Sequence, residues 1–147
     1  MKISHSHHSL LFAAILLLAP GLSPARAQGN LLGVWTFDPS RKQVYVDSVN
    51  RGRAGVPMSE IAAAMGLARI EDSLYELGSN RDGPFLAITN KTSHASEMIP
   101  VSVERSASEL ILTAKEGGRR YRLRPIDPRH LDLVDEQNRV TIPLKRS

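Results

Sequence analysis

The sequence predicts a mainly β protein: one antiparallel up-and-down barrel of about eight strands, with one short helical insert after the first strand. Three observations predict it. From Ser73 to the end, apolar and polar residues alternate with period two, the pattern of strands with one dry and one wet face. Turn-forming clusters such as GSNRDG (78–83) and EGG (116–118) break the alternation at spacings of about ten residues. With LLGVWTF (31–37) as a first strand, about eight such runs can be counted, enough for a small closed barrel. A meander of that many strands hides its edges best by closing on itself.

The elements follow in order. LLGVWTF (31–37) is the first strand. The segment 43–72 then carries the helix signal, GVPMSEIAAAMGLARIED. Pro57 suits a first helical turn, Ser59 or Asp72 suits a cap, and Ala62, Ala63 and Ala64 are strong helix formers. Gly66 either ends that helix or sits inside it. Ile61, Met65 and Leu67 read as core-seeking, which favours a packing helix over a lid. SLYEL (73–77), PFLAIT (84–89) and MIPVSVE (98–104) are the next strands, with NKTSHASE (90–97) as a polar loop. ELILTAK (109–115) and RRYRLRP (119–125) flank the Gly117-Gly118 hairpin. HLDLVDE (130–136) turns Leu131 and Leu133 inward, and RVTIPLKR (139–146) does the same with Val140, Ile142 and Leu144.

The first residues are of another kind. Lys2 precedes an unbroken apolar run, Leu10 to Ala19, and Ala25-Arg26-Ala27 gives the small-x-small pattern of a cleavage site. The run is too short to span a bilayer, and Pro20, Gly21 and Pro24 stop a helix. Residues 1–27 are therefore read as a cleaved signal peptide and 28–147 as the barrel domain of an exported, periplasmic or secreted protein without a transmembrane anchor. Cleavage lowers Lys+Arg from 19 to 17 against 15 Asp+Glu, so the net charge falls from +4 to +2. That small excess gives no reason to expect nucleic-acid binding. Three of the five histidines, His5, His7 and His8, leave with the leader. With no cysteine, the exported domain relies on its core rather than on disulfides.

The opening Leu-x-Gly-x-Trp-x-x-Asp-Pro, a short helical insert and a closing meander ending in Lys145-Arg146 resemble the bacterial lipocalin-like domain proteins. Gly33 and Trp35 match the Gly-x-Trp motif, with Asp38 and Pro39 in support; later lipocalin signatures are not evident. The resemblance implies that Trp35 sits at the closed base of the barrel beneath a basic side chain of the last strand. The inward parity of Val140, Ile142 and Leu144 continues to Arg146, and antiparallel closure brings Arg146 to the indole. Gly33 lets the backbone pass close beneath it.

Catalysis is not expected. No nucleophile elbow or phosphate-cradling glycine loop occurs, and Ser93-His94 with Glu97 reads as a solvated loop. Asp127 and His130 lack a visible third ligand, so no metal or other cofactor is expected. Asn90-Lys91-Thr92 fits a glycosylation sequon, idle in a bacterium. Arg120, Arg122 and Arg124 line one strand face; they would suit an anionic lipid, a carboxylate or an acidic partner, or be balanced by Glu104, Glu109 and Asp132. The expected function is the binding of a small apolar or amphipathic molecule, or of an envelope component, by a monomer. Its inward lining would be Ile88, Val101, Val103, Leu112, Tyr121, Leu133 and Ile142, residues that a filled core would also use. The alternative is a protein-binding module, such as a periplasmic protease inhibitor or an envelope interaction protein. Small barrels of the inhibitor kind use a segment before the barrel, and Gln28-Gly29-Asn30 is short for that.

Overall fold

A computed structural model describes residues 31–52 and 59–147. The leader, Gln28 to Asn30 and Pro57 lie outside the described residues. Eight antiparallel strands close into a barrel in sequence order, each paired with its chain neighbours and β1 with β8. They are β1 (Gly33–Phe37), β2 (Ser73–Asn80), β3 (Gly83–Asn90), β4 (Ser96–Ser106), β5 (Glu109–Ala114), β6 (Arg120–Asp127), β7 (His130–Asp135) and β8 (Val140–Arg146). Alternation in the sequence becomes alternation in space: Leu110, Leu112, Tyr121, Leu123, Leu131, Leu133, Ile142 and Leu144 are all buried. With Trp35, Phe37, Leu77 and Leu86 they form one cluster.

The closing seam pairs Trp35 with Arg146 and Phe37 with Leu144. Trp35 is fully buried. Its Nε1–H donates to the Leu31 carbonyl at 2.9 Å. The Arg146 guanidinium lies over the indole, 4.3 Å from its centroid, and Nη1 donates to the Leu32 carbonyl at 2.9 Å. One arginine thus covers the ring and ties down the chain entering β1. Gly33 makes room for it: its φ is +123°, and a Cβ there would stand 3.0 Å from Arg146 Nη1. We expect Gly33→Ala to cost about 1–3 kcal/mol from backbone strain and displacement of that guanidinium, read as a lowered denaturation midpoint.

Asp38-Pro39 opens the insert. Asp38 is buried, and its Oδ1 accepts from Ser40 N at 3.0 Å and from Ser40 Oγ at 2.7 Å, capping a 3-10 turn (Pro39–Arg41) with proline in its first positions. The Asp38 N–H still donates to Pro143 of β8, so the turn starts where the sheet ends. Helix α1 (Lys42–Gly52) follows. Its buried Tyr45, Ser48 and Val49 are spaced as one helix face, and Ser48 Oγ accepts from Thr141 N of β8 at 2.8 Å.

Helix α2 (Glu60–Glu71) forms in the segment that carries the helix signal. Ser59 caps it, accepting from Ala62 N, Asp72 closes its other end, and Gly66 lies inside. Its packing corrects the sequence reading. Ile61 and Met65 are 75% and 66% exposed, while Leu67 and Ile70 pack on the core. The helix is apolar nearly all round, so composition did not show which stripe would face inward. Helix α1 is an addition to that reading.

Candidate functional site at the barrel mouth

The insert leaves β1 at Phe37 and returns at Ser73, so it stands over one end of the barrel, opposite the end where β8 finishes on Trp35. Beneath it lies a cavity of about 290 Å3. The insert contributes Tyr45 from α1 and Gly66, Arg69 and Ile70 from α2. The barrel contributes Tyr75 and Ile88 from β2 and β3, Arg119 and Tyr121 at the start of β6, and Leu133, Asp135, Val140 and Ile142 from β7 and β8. Ser73 and Asn138 complete the rim.

Several local devices hold this roof in place. A Cβ on Gly66 would stand 2.7 Å from Tyr45 Oη, so the glycine is the notch that receives the phenol between the helices. At the C-terminal end of α2, Asp72 accepts from Asn90 Nδ2 at 2.8 Å and Thr92 Oγ1 at 2.9 Å. Lys91 Nζ donates to the Glu71 carbonyl at 2.8 Å and to Thr36 Oγ1 at 3.1 Å. The β3–β4 loop therefore clamps the helix to the barrel. The sequon and Ser93-His94 fall in that clamp; Ser93 and His94 are exposed there.

The walls are apolar with a few polar groups at defined places. Asp135 is buried and pairs with Arg119 Nη2. It also accepts from Gln137 N at 3.1 Å and Asn138 Nδ2 at 2.8 Å. Burial opposes ionisation of Asp135, but the Arg119 guanidinium and the Asn138 donors outweigh it and hold the carboxyl below its ordinary value. The guanidinium of Arg119 stands 5.1 Å from the centre of the Tyr121 ring. Burial raises all three phenols, Tyr75 to about 12, so each is a neutral donor at neutral pH. Two polar atoms of this cavity lie fully buried with no hydrogen-bond partner among the described residues: Tyr121 Oη and Arg119 Nε.

Of the seven lining residues named from sequence, Ile88, Tyr121, Leu133 and Ile142 meet at this cavity. Leu112 is buried in the core cluster beside the cavity, directly opposite the lining residue Tyr121. Val101 and Val103 border a different hollow beside the β2–β3 hairpin, with Asn80, Gly83 and Lys115. The inward residues thus divide between the mouth cavity, the packed core and this second hollow, of about 550 Å3. Tyr45, Tyr75, Arg69 and Arg119 were not anticipated as lining. Parity alone points Tyr75 inward, as it does Tyr121. Arg69 and Tyr45 enter from the insert, whose placement over the barrel is a long-range matter.

Elsewhere the surface is self-balanced. Arg124 donates to Glu109, Arg122 pairs with Glu109 and Glu136, and Arg120 lies 3.6 Å from Glu136. Glu109 is a partner as foreseen, whereas Asp132 turns to Arg41 at 2.7 Å. His130 Nδ1 lies 2.8 Å from Asp127. No group of three or more metal-ligating side chains occurs among the described residues, nor does a helix long and apolar enough to cross a membrane. No protein-family model matches the chain, and neither a curated protein nor a solved structure matches it.

Proposed function

We propose that the chain is an exported lipocalin-like protein that binds a small amphipathic molecule in the mouth cavity, rather than an enzyme. The closed eight-stranded barrel, with Gly-x-Trp in β1 and Arg146 over the indole, supports the lipocalin-like reading. The observation that carries the binding reading is the cavity itself: apolar walls, convergent phenols and guanidiniums, and a helical roof between the site and solvent. At about 290 Å3 it sits at the low end for small-molecule sites, which favours a compact ligand over a long acyl chain.

Native mass spectrometry of the mature protein, purified gently from its own envelope, tests this. The expected result is a stoichiometric small-molecule adduct, lost when Ile142→Trp fills the cavity in a variant that remains folded. An adduct that persists in that variant would place binding elsewhere.

A second reading rests on α2. Exposed Ile61 and Met65, one turn apart on the outer face of the roof, suit contact with another envelope protein. Under that reading, Ile61→Ser/Met65→Ser abolishes partner capture and leaves small-molecule binding untouched.

A further inference from the structure

The mouth cavity offers a lopsided set of polar groups. Asp135 is the one carboxylate in its lining among the described residues, and its oxygens are already occupied by Arg119, Gln137 and Asn138. Two guanidiniums line the same space. Arg119 gives one nitrogen to Asp135 and keeps a buried Nε–H without a partner among the described residues. Arg69 makes no ion pair among the described residues and stands at the rim, close enough to Tyr45 and Tyr75 to act on both electrostatically. Tyr121 is 1% exposed, and its hydroxyl has no partner among the described residues.

A buried hydroxyl left unsatisfied works against folding, so in a purely structural role phenylalanine would serve better at position 121. The surplus in this cavity consists of donors and positive charge. The complementary group is a compact anion with acceptor oxygens. The rest of the wall, Ile88, Leu133, Val140 and Ile142 with the faces of the tyrosines, is apolar. The volume corresponds to roughly ten waters at their liquid packing, which admits one ring and a short side chain.

Building on the mouth-binding reading above, we infer that the ligand is a small carboxylate with a ring-sized apolar body, its carboxylate received by Tyr121 Oη, Arg119 Nε and Arg69. Glu97, exposed on β4 and electrostatically coupled to Arg119, lies outside the cavity lining and borders an adjoining hollow with Arg69.

The test is an NMR titration of the mature protein with phenylacetate and with its neutral isostere phenylacetamide. Phenylacetate is expected to bind at least about tenfold more tightly, since hydrogen bonds to a charged group exceed those to a neutral one. Its shifts should centre on residues 119–121 and 133–142. Tyr121→Phe should weaken phenylacetate about fivefold or more while melting no lower than the parent, a combination that a structural role would not give. Arg69→Gln should weaken the acid and leave the amide unchanged. Equal binding of acid and amide would overturn the inference while leaving the mouth as a binding site. Failure of both probes on a protein that still carries a native adduct would overturn this ligand class alone. Failure of both together with a clean apo mass would overturn this inference and the mouth-binding reading on which it rests.

Discussion

Trp35→Ala is expected to destabilise the mature domain by about 3–5 kcal/mol, the range for truncating a fully buried large aromatic. The expectation rests on more than volume. The indole fills the base of the barrel at 0% exposure, its N–H holds the Leu31 carbonyl, and its face carries Arg146. Truncation leaves a void, frees that carbonyl and strips the guanidinium of its stacking surface at once. Such a void collapses poorly because its walls are strands fixed by ladder bonds on both sides. Urea unfolding of variant and parent, followed by circular dichroism, measures the difference. A midpoint unchanged by the substitution would remove Trp35 from its structural role.

The second large effect belongs to Asp135. Asp135→Ala is expected to cost about 2–4 kcal/mol, less than a fully buried pair because the Arg119 side chain remains 35% exposed. The lost carboxylate leaves Arg119 unpaired beside Tyr121 and releases the turn to β8 that Gln137 and Asn138 form on it. The pH dependence has a defined sign. The folded carboxyl titrates below its ordinary value, near 3.9 when unfolded. Its contribution is therefore complete above about pH 4 and disappears as pH falls through the folded value. Asp135→Asn should flatten that part of the acid limb; an acid limb identical to the parent would show that other carboxylates govern it.

Most of the fold was legible because strands announce themselves locally. Tyr121 and Leu123 alternate with Arg120, Arg122 and Arg124, and that parity is enough to set which face is core. Counting the same parity along β8 reaches Arg146, and antiparallel closure then sets it opposite Trp35. Helix α1 was not legible for an equally local reason. Val44, Tyr45 and Val46 favour strands by propensity, and the signal for a helix, Tyr45 with Ser48 and Val49, includes a serine that a hydrophobic pattern passes over. That serine is buried because it accepts a hydrogen bond from β8, a contact spanning 93 residues. The cavity was half legible. Ile88, Tyr121, Leu133 and Ile142 follow from parity, but parity does not show where side chains leave space, so Leu112, the cross-strand partner of Tyr121, read the same as its neighbours. Nor can it say that an insert residue such as Arg69 reaches over the opening.

The seam between β1 and β8 sets an order of events in time. The hydrogen bond from Arg146 to the Leu32 carbonyl joins residues 114 positions apart, while neighbouring strands of the meander meet through turns of a few residues. Contacts of such long separation cost the most chain entropy to form, so hairpins can assemble early while the first strand waits for the last. Until then both of those strands offer unpaired backbone along a free edge, the condition in which a second chain can add to the sheet. Loss of the final strand would hold the molecule in that condition permanently: the hazard of such a truncation is aggregation, and its visible sign would be oligomers rather than a monomer of lower stability.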